Sequence, residues 1–250
     1  MDAFPSEFAD LLNARGKRML ANPPRLDARG KTTPIVVLDD VIDRGVAAEC
    51  VRLLDRTVYP RLKRMHTPIP REALTGMKWN YSERLPKTVR VKTATFNSRR
   101  SAMLLAAQEN GLARMMSSPS FFAFAEAVAG GALCREHHGR QVICYEAGDY
   151  SGPHNDHHPE RDAARNGFID LHIMFSNEAV ASQHLVYENR EHYLSEAHDV
   201  SGPAGIAVYR LPFWHYTTPL IPRRGRERDA RRWLLLGSFD YVNPPRKLEY

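Results

Sequence analysis

Tyr145-Glu-Ala-Gly-Asp-Tyr-Ser-Gly-Pro-His154-Asn-Asp156 is the stretch on which the reading of this chain turns. A β-branched run, Gln141 to Glu146, leads into it, and a turn rich in glycine and proline follows. A histidine and a carboxylate then stand two residues apart. On an extended chain, positions i and i+2 project from one face, so His154 and Asp156 are placed to hold one ion together. A third ligand has to come from a distant strand, and Phe213-Trp214-His215-Tyr216 supplies an isolated histidine at the end of one. Two imidazoles and one carboxylate are the ligand set of non-haem Fe(II) oxygenases, with coordination positions left open. The same three ligands also suit Zn(II) in a hydrolase.

The open positions suit a 2-oxo acid bound through two atoms, with O2 taking the last. The far carboxylate of such an acid needs a buried cation, for which the guanidinium fork is better shaped than an ammonium. Arg231-Arg232-Trp-Leu-Leu-Leu-Gly-Ser238 opens an apolar strand with arginine. Arg232 shares a face with Leu234 and Leu236 and is the expected anchor; Arg231, on the face of Trp233 and Leu235, is the alternate. That arginine argues against the zinc hydrolase.

Further out, the chain divides into a helical first half and a β second half. Residues 1–22 carry Phe4, Phe8, Leu11, Leu12 and Met19 near helical spacing, and Pro23-Pro24 ends that pattern. Pro34 to Leu38 reads as a strand, and a helix follows to about Val58. Residues 60–88, rich in proline, read as irregular loop, Val89 to Phe96 as a strand and 100–116 as a helix. Ser118-Pro119 caps a further helix that stops at Gly130-Gly131. Beyond 141, strands are expected at 141–146, 168–176, 184–188, 192–194, 205–210, 213–217 and 232–242. The fold class is therefore α+β with a mainly β core. We expect one domain, 1–250, with a support region over 1–140 and a catalytic core over 141–242.

The ordered parts from 141 to 242 resemble the Fe(II)/2-oxoglutarate-dependent dioxygenases. Tyr145 and Gly148 lead in, His154-x-Asp156 follows, and Leu171 to Ser176 resembles the third core strand. A glycine turn opens Gly205 to Arg210, then come the distal His215 and an arginine on the final strand. The resemblance implies a double-stranded β-helix (jelly-roll) with N-terminal supporting helices. It also implies Fe(II), 2-oxoglutarate and O2 as cofactor and co-substrates, with decarboxylation to succinate and CO2 driving oxidation of a C–H bond. Tyr145 is expected beside Arg232 at the co-substrate, and Tyr150, His158, Glu160, His172 and Ser238 at the substrate pocket.

Departures from the family's branches narrow the reaction. Alkylation-repair members carry a second arginine where this chain has Ser238, which disfavours nucleic acid as substrate. Ser182-Gln-His-Leu185 stands where prolyl-hydroxylase-like members have Gly-Gly-x-Thr, and Asp156 fills the position that halogenases leave small. Hydroxylation or desaturation of a small molecule, such as an amino acid or natural-product intermediate, is the expectation. The same chemistry on a macromolecule and a non-catalytic β-barrel binding module are the alternatives.

Composition is that of an ordinary globular protein, which excludes a wholly disordered, collagen-like or coiled-coil chain. Lys+Arg 35 against Asp+Glu 29 leaves a net +6, with 43% hydrophobic residues. Residues 1–100 hold 20 basic and 11 acidic side chains (+9), and residues 101–250 hold 15 and 18 (−3), summing to that +6. The twelve residues 221–232 contain six arginines, read as a loop at the barrel mouth, either solvated or steering an anion. Cys50, Cys134 and Cys144 fit no metal or redox spacing, and the first residues lack a signal-peptide pattern, so a cytoplasmic protein with reduced thiols is expected. No apolar run reaches the length of a membrane helix.

Overall fold

The structure, a computed structural model, describes residues 1–26, 35–74, 85–96, 101–136, 138–156, 167–189 and 194–243. In chain order the helices are α1 (Ala14–Ala21), α2 (Arg44–Thr57), α3 (Ala102–Glu109), α4 (Leu112–Met115) and α5 (Pro119–Ala129). The first strands are β1 (Ile35–Asp39), β2 (Lys63–Pro68), β3 (Thr88–Thr95), β4 (Gly139–Tyr145), β5 (Tyr150–His154) and β6 (Phe168–Ser176). Then follow β7 (Val180–Ser182), β8 (His184–Asn189), β9 (Leu194–Asp199), β10 (Ala204–Leu211), β11 (His215–Thr217), β12 (Ile221–Pro222) and β13 (Arg232–Asp240).

Antiparallel pairing runs β1-β10-β6-β13-β4-β3-β5-β11-β8-β9, with β2 on the flank of β3. The turn of the barrel is made at β3. Its C-terminal half pairs with β4 (Lys92 to Thr95) while its N-terminal end pairs with β5 (Val89 and Arg90), so one strand belongs to both walls. The result is a double-stranded β-helix.

Alternation along β13 shows how the walls are used. Trp233, Leu235 and Phe239 point outward into the main hydrophobic core, which they share with Leu53 and Leu54 of α2 and Phe121, Phe124 and Val128 of α5. Arg232, Leu234, Leu236 and Ser238 point the other way, into the barrel. Gly237 sits on the outward face because a Cβ there would lie 2.7 Å from the Phe121 ring. Burying rings of this size on the helix side is worth about 3–5 kcal/mol each by truncation, so the helices brace the wall that carries the cavity.

The α5 boundaries follow the expected chemistry: Ser118 accepts from the Phe121 amide and Gly130 closes the helix at φ 71°. Three expectations are corrected. The helix read over 100–116 is two, because Gly111 adopts φ 81° between them. Residues 60–88 are not wholly irregular, since β2 pairs in register with β3 and short 3-10 turns flank it. The turn before His154 contains a strand, β5, whose glycine and proline concealed it. The small pair β7–β12 carried no legible signal.

Candidate metal centre and cavity

β5 and β11 are hydrogen-bonded neighbours, and their register places His154 opposite His215. Thr217 lies opposite Ser151, so three steps along β5 match two along β11; this bulge lets Ser151 and His154 both face the cavity despite their odd spacing. Gly152 makes the close approach possible, since a Cβ there would be 2.2 Å from the Pro86 carbonyl oxygen. Asp156 lies beyond the strand at φ 54°, a left-handed conformation. The pairing of the two ligands by strand alternation is thus replaced by a backbone turn, with the same residues brought together.

Asp156 bridges the imidazoles, with Oδ1 3.1 Å from His154 Nε2 and Oδ2 3.3 Å from His215 Nε2. The ligand atoms of the three residues lie within 4.8 Å of one another. Two donors about 2.1 Å from one ion at right angles stand about 3 Å apart, which is the spacing found here. Each ring is oriented from behind: His154 Nδ1 is 2.6 Å from the Gly152 carbonyl and His215 Nδ1 3.0 Å from the Phe213 carbonyl. A proton held at Nδ1 leaves Nε2 of both rings free to ligate, as a carbonyl behind the ring does for metal-bound histidine. Burial alone would push the Asp156 carboxyl up, but the two imidazoles outweigh it and hold it well below its usual range. Burial would likewise lower His154; the Asp156 carboxylate outweighs that and raises it above its ordinary value. Packing two imidazoles and a carboxylate this closely suits a divalent ion.

The triad opens on a cavity of about 340 Å³ inside the barrel. Arg232 lies at one end, 3% exposed. Its Nε donates to the Val200 carbonyl (3.1 Å), Nη1 to Gln183 Oε1 (3.2 Å) and Nη2 to Met174 Sδ (3.1 Å), and the guanidinium stands over the Tyr145 ring. None of these partners is a carboxylate. Burial pulls the guanidinium below its usual basicity, and the full charge remains available to an anion in the cavity. Gln183 was not singled out from sequence. Its amide donates to the Asp149 and Thr218 carbonyls, which fixes its oxygen toward Arg232. Arg231 faces outward over the Tyr59 ring, 3.8 Å from Asp55.

Tyr145, His172 and Ser238 line the cavity. Tyr150 does not: its hydroxyl is hydrogen-bonded to Thr88 (2.7 Å) on the neighbouring strand, and Ser151 takes the inward position. His158 and Glu160 lie outside the described residues. Sequence reasoning missed Asp170, which lines the cavity beside His172 and accepts from the Ser238 hydroxyl. A signal was present, since Asp170 and His172 are the polar pair in the apolar strand FIDLHIMFS, two residues apart and so on one face. Tyr209, whose ring lies between His172 and His215, was also missed.

Packing also accounts for Asp149 and for the arginine-rich segment. Asp149 is a turn anchor, accepting from the Glu146 amide and pairing with Arg64 (2.6 Å) and Arg90 (3.1 Å). Apart from Arg232 at its end, the arginines of 221–232 do not line the cavity. Arg226 pairs with Glu178 and Asp229, Arg223 donates to the Glu178 carbonyl, and both line a separate cleft against α2.

No family model and no curated protein matches the chain. Solved structures do. The non-heme alpha-ketoglutarate-dependent epimerase SnoN of nogalamycin biosynthesis superposes with a TM-score of 0.52 at 14% identity, covering 94% of each chain. The non-heme alpha-ketoglutarate-dependent carbocyclase SnoK of the same biosynthesis gives 0.53 at 12% identity, over 92% of this chain and 95% of that one. The class that fold and site define is a double-stranded β-helix carrying an internal His-Asp-His cluster. The particular fold is the one these two non-heme proteins share.

Proposed function

We propose that this protein is an Fe(II)- and 2-oxoglutarate-dependent oxygenase that hydroxylates or desaturates a C–H bond of a small molecule. The observation that carries the reading is the joint placement of His154, Asp156 and His215 with a carboxylate-free buried Arg232 in one cavity. Bound iron would supply the oxidation of the C–H bond by O2, coupled to loss of CO2 from the oxo acid to leave succinate. The chain's own residues do the rest. The Nε2 atoms of His154 and His215 and the Asp156 carboxylate would hold the ion. Arg232 receives the distal carboxylate, with Tyr145 packed against it and Gln183 holding its fork in position. Leu234 and Leu185 shield the space between from water.

Small-molecule work is supported by the enclosed volume and by the likeness to SnoN and SnoK, described as an epimerase and a carbocyclase of a biosynthesis. Nucleic acid gains no support from the arginine loop, where Arg226 is paired with Glu178 and Asp229 and lines, with Arg223, a cleft other than the cavity. Anaerobic addition of Fe(II) and then 2-oxoglutarate is the test. A metal-to-ligand charge-transfer band that requires both, and that is lost in His154→Ala, is expected. A protein that binds neither is a binding module, and the reading fails.

A further inference from the structure

We infer that the substrate carries a protonated amine, held between the Asp170 carboxylate and His172 Nε2 at the end of the cavity remote from Arg232. This rests on the oxygenase reading and names the substrate class for it. The strand register sets the distances: on β6, Ser176 is opposite Arg232, whereas His172 is opposite Leu236 and Asp170 opposite Ser238. Six residues of β13 at about 3.3 Å each put the Asp170–Ser238 level roughly 20 Å along the strand from Arg232. A five-carbon diacid anchored at Arg232 does not span that length, so this end is left for the substrate.

Charge decides what fits there. Asp156 and the oxo acid's reacting carboxylate offset a divalent ion, and Arg232 offsets the distal carboxylate. Asp170 is left over. It is 6% exposed, its Oδ1 accepts from the Ser238 hydroxyl, and Arg232 is the one Arg or Lys among the described lining residues. A carboxylate this buried is costly without a cationic partner. His172 does not supply one, because its Nε2 is 3.9 Å from Asp170 Oδ2, beyond hydrogen-bond reach, and is buried with no partner. Burial, the largest influence on it, also holds that imidazole below its ordinary basicity, against the pull of Asp170. With the His172 proton on Nδ1, its Nε2 and the Asp170 oxygen are two acceptors 3.9 Å apart, which suits one nitrogen donating to both at about 2.9 Å each. A hydroxyl, with a single proton, fills the gap less completely, and an anion is repelled.

The test uses the Fe(II)–2-oxoglutarate complex under anaerobic conditions, with butylamine, hexylamine and phenethylamine titrated against the corresponding alcohols. The expected result is that amines perturb the charge-transfer band at tenfold or more lower concentration than the alcohols. Asp170→Asn is expected to abolish that preference while leaving 2-oxoglutarate affinity within twofold. A second measurement is independent of the probes. Asparagine keeps the acceptor for Ser238 and removes the unpaired charge, so metal-free Asp170→Asn is expected to melt no lower than the unmodified protein. If the band forms but amines and alcohols act alike, if no amine perturbs it, if the variant keeps the preference, or if it melts lower, the inference is overturned. If no band forms with Fe(II) and 2-oxoglutarate, the oxygenase reading itself has failed and the inference falls with it.

Discussion

Replacing Arg232 with methionine removes the cation at the blind end of the cavity while keeping most of its volume. The guanidinium is buried, its described hydrogen-bond partners are the Val200 carbonyl, the Gln183 amide oxygen and the Met174 sulfur, and no carboxylate is among them. An incoming carboxylate would therefore meet a guanidinium with no carboxylate hydrogen-bonded to it, Asp199 acting only from a distance. Removing one partner of a buried ion pair costs about 3–5 kcal/mol, since the other is left unpaired. At 1.4 kcal/mol per tenfold, affinity for 2-oxoglutarate should fall by roughly a hundred- to a few thousand-fold. Arg232→Lys, which keeps the charge but loses the fork, should fall between the two. The fold itself should survive: the Val200 and Gln183 oxygens lose donors, at about 1–3 kcal/mol each, but a buried charge is removed as well. Calorimetric titration of 2-oxoglutarate into the metal-loaded protein, with melting temperatures alongside, measures both effects. A folded Arg232→Met protein that keeps its affinity within tenfold would refute the assignment of this arginine.

Metal affinity should fall on acidification, measured as Co(II) binding from pH 8.5 to 5.5, because both imidazoles must be unprotonated to ligate. The raised pKa of His154 places the onset above the ordinary histidine range. In the metal-free protein the sign reverses for that group: a raised folded pKa contributes stability fully present below about pH 6.5, and lost as pH rises through the folded value. Gly152→Ala should destabilise the protein by about 1–3 kcal/mol or more and weaken metal binding at least tenfold, because the added Cβ collides with the Pro86 carbonyl and displaces the carbonyl that orients His154. Melting curves and Co(II) titration check it. Tyr150→Phe should cost only about 0.5–1.5 kcal/mol through the lost bond to Thr88, with 2-oxoglutarate affinity unchanged; a large loss of affinity would return Tyr150 to the site.

Much of this molecule was legible before folding. Strand and helix periodicities located most of the elements, because alternation and the 3.6-residue stripe are imposed wherever one face is buried. The candidate ligands His154 and Asp156 could be picked out because their spacing sits at the end of a strand-like run, and the candidate anchor Arg232 because a charge opening an apolar strand demands a partner. Tertiary structure decided what local pattern does not encode. The bulge between β5 and β11 and the left-handed Asp156 aim the candidate ligands, where the sequence reading had them share one face of an extended chain. Asp170, an acid in an apolar strand, acquired meaning only when barrel closure put it beside Ser238 and His172 and far from any lining arginine. Tyr150 lost its expected role for the same reason, since which face turns inward depends on a register set by pairing with distant strands. Spacing along a chain fixes which side chains travel together, whereas the charges and hydrogen bonds that meet across a barrel depend on how remote strands are aligned.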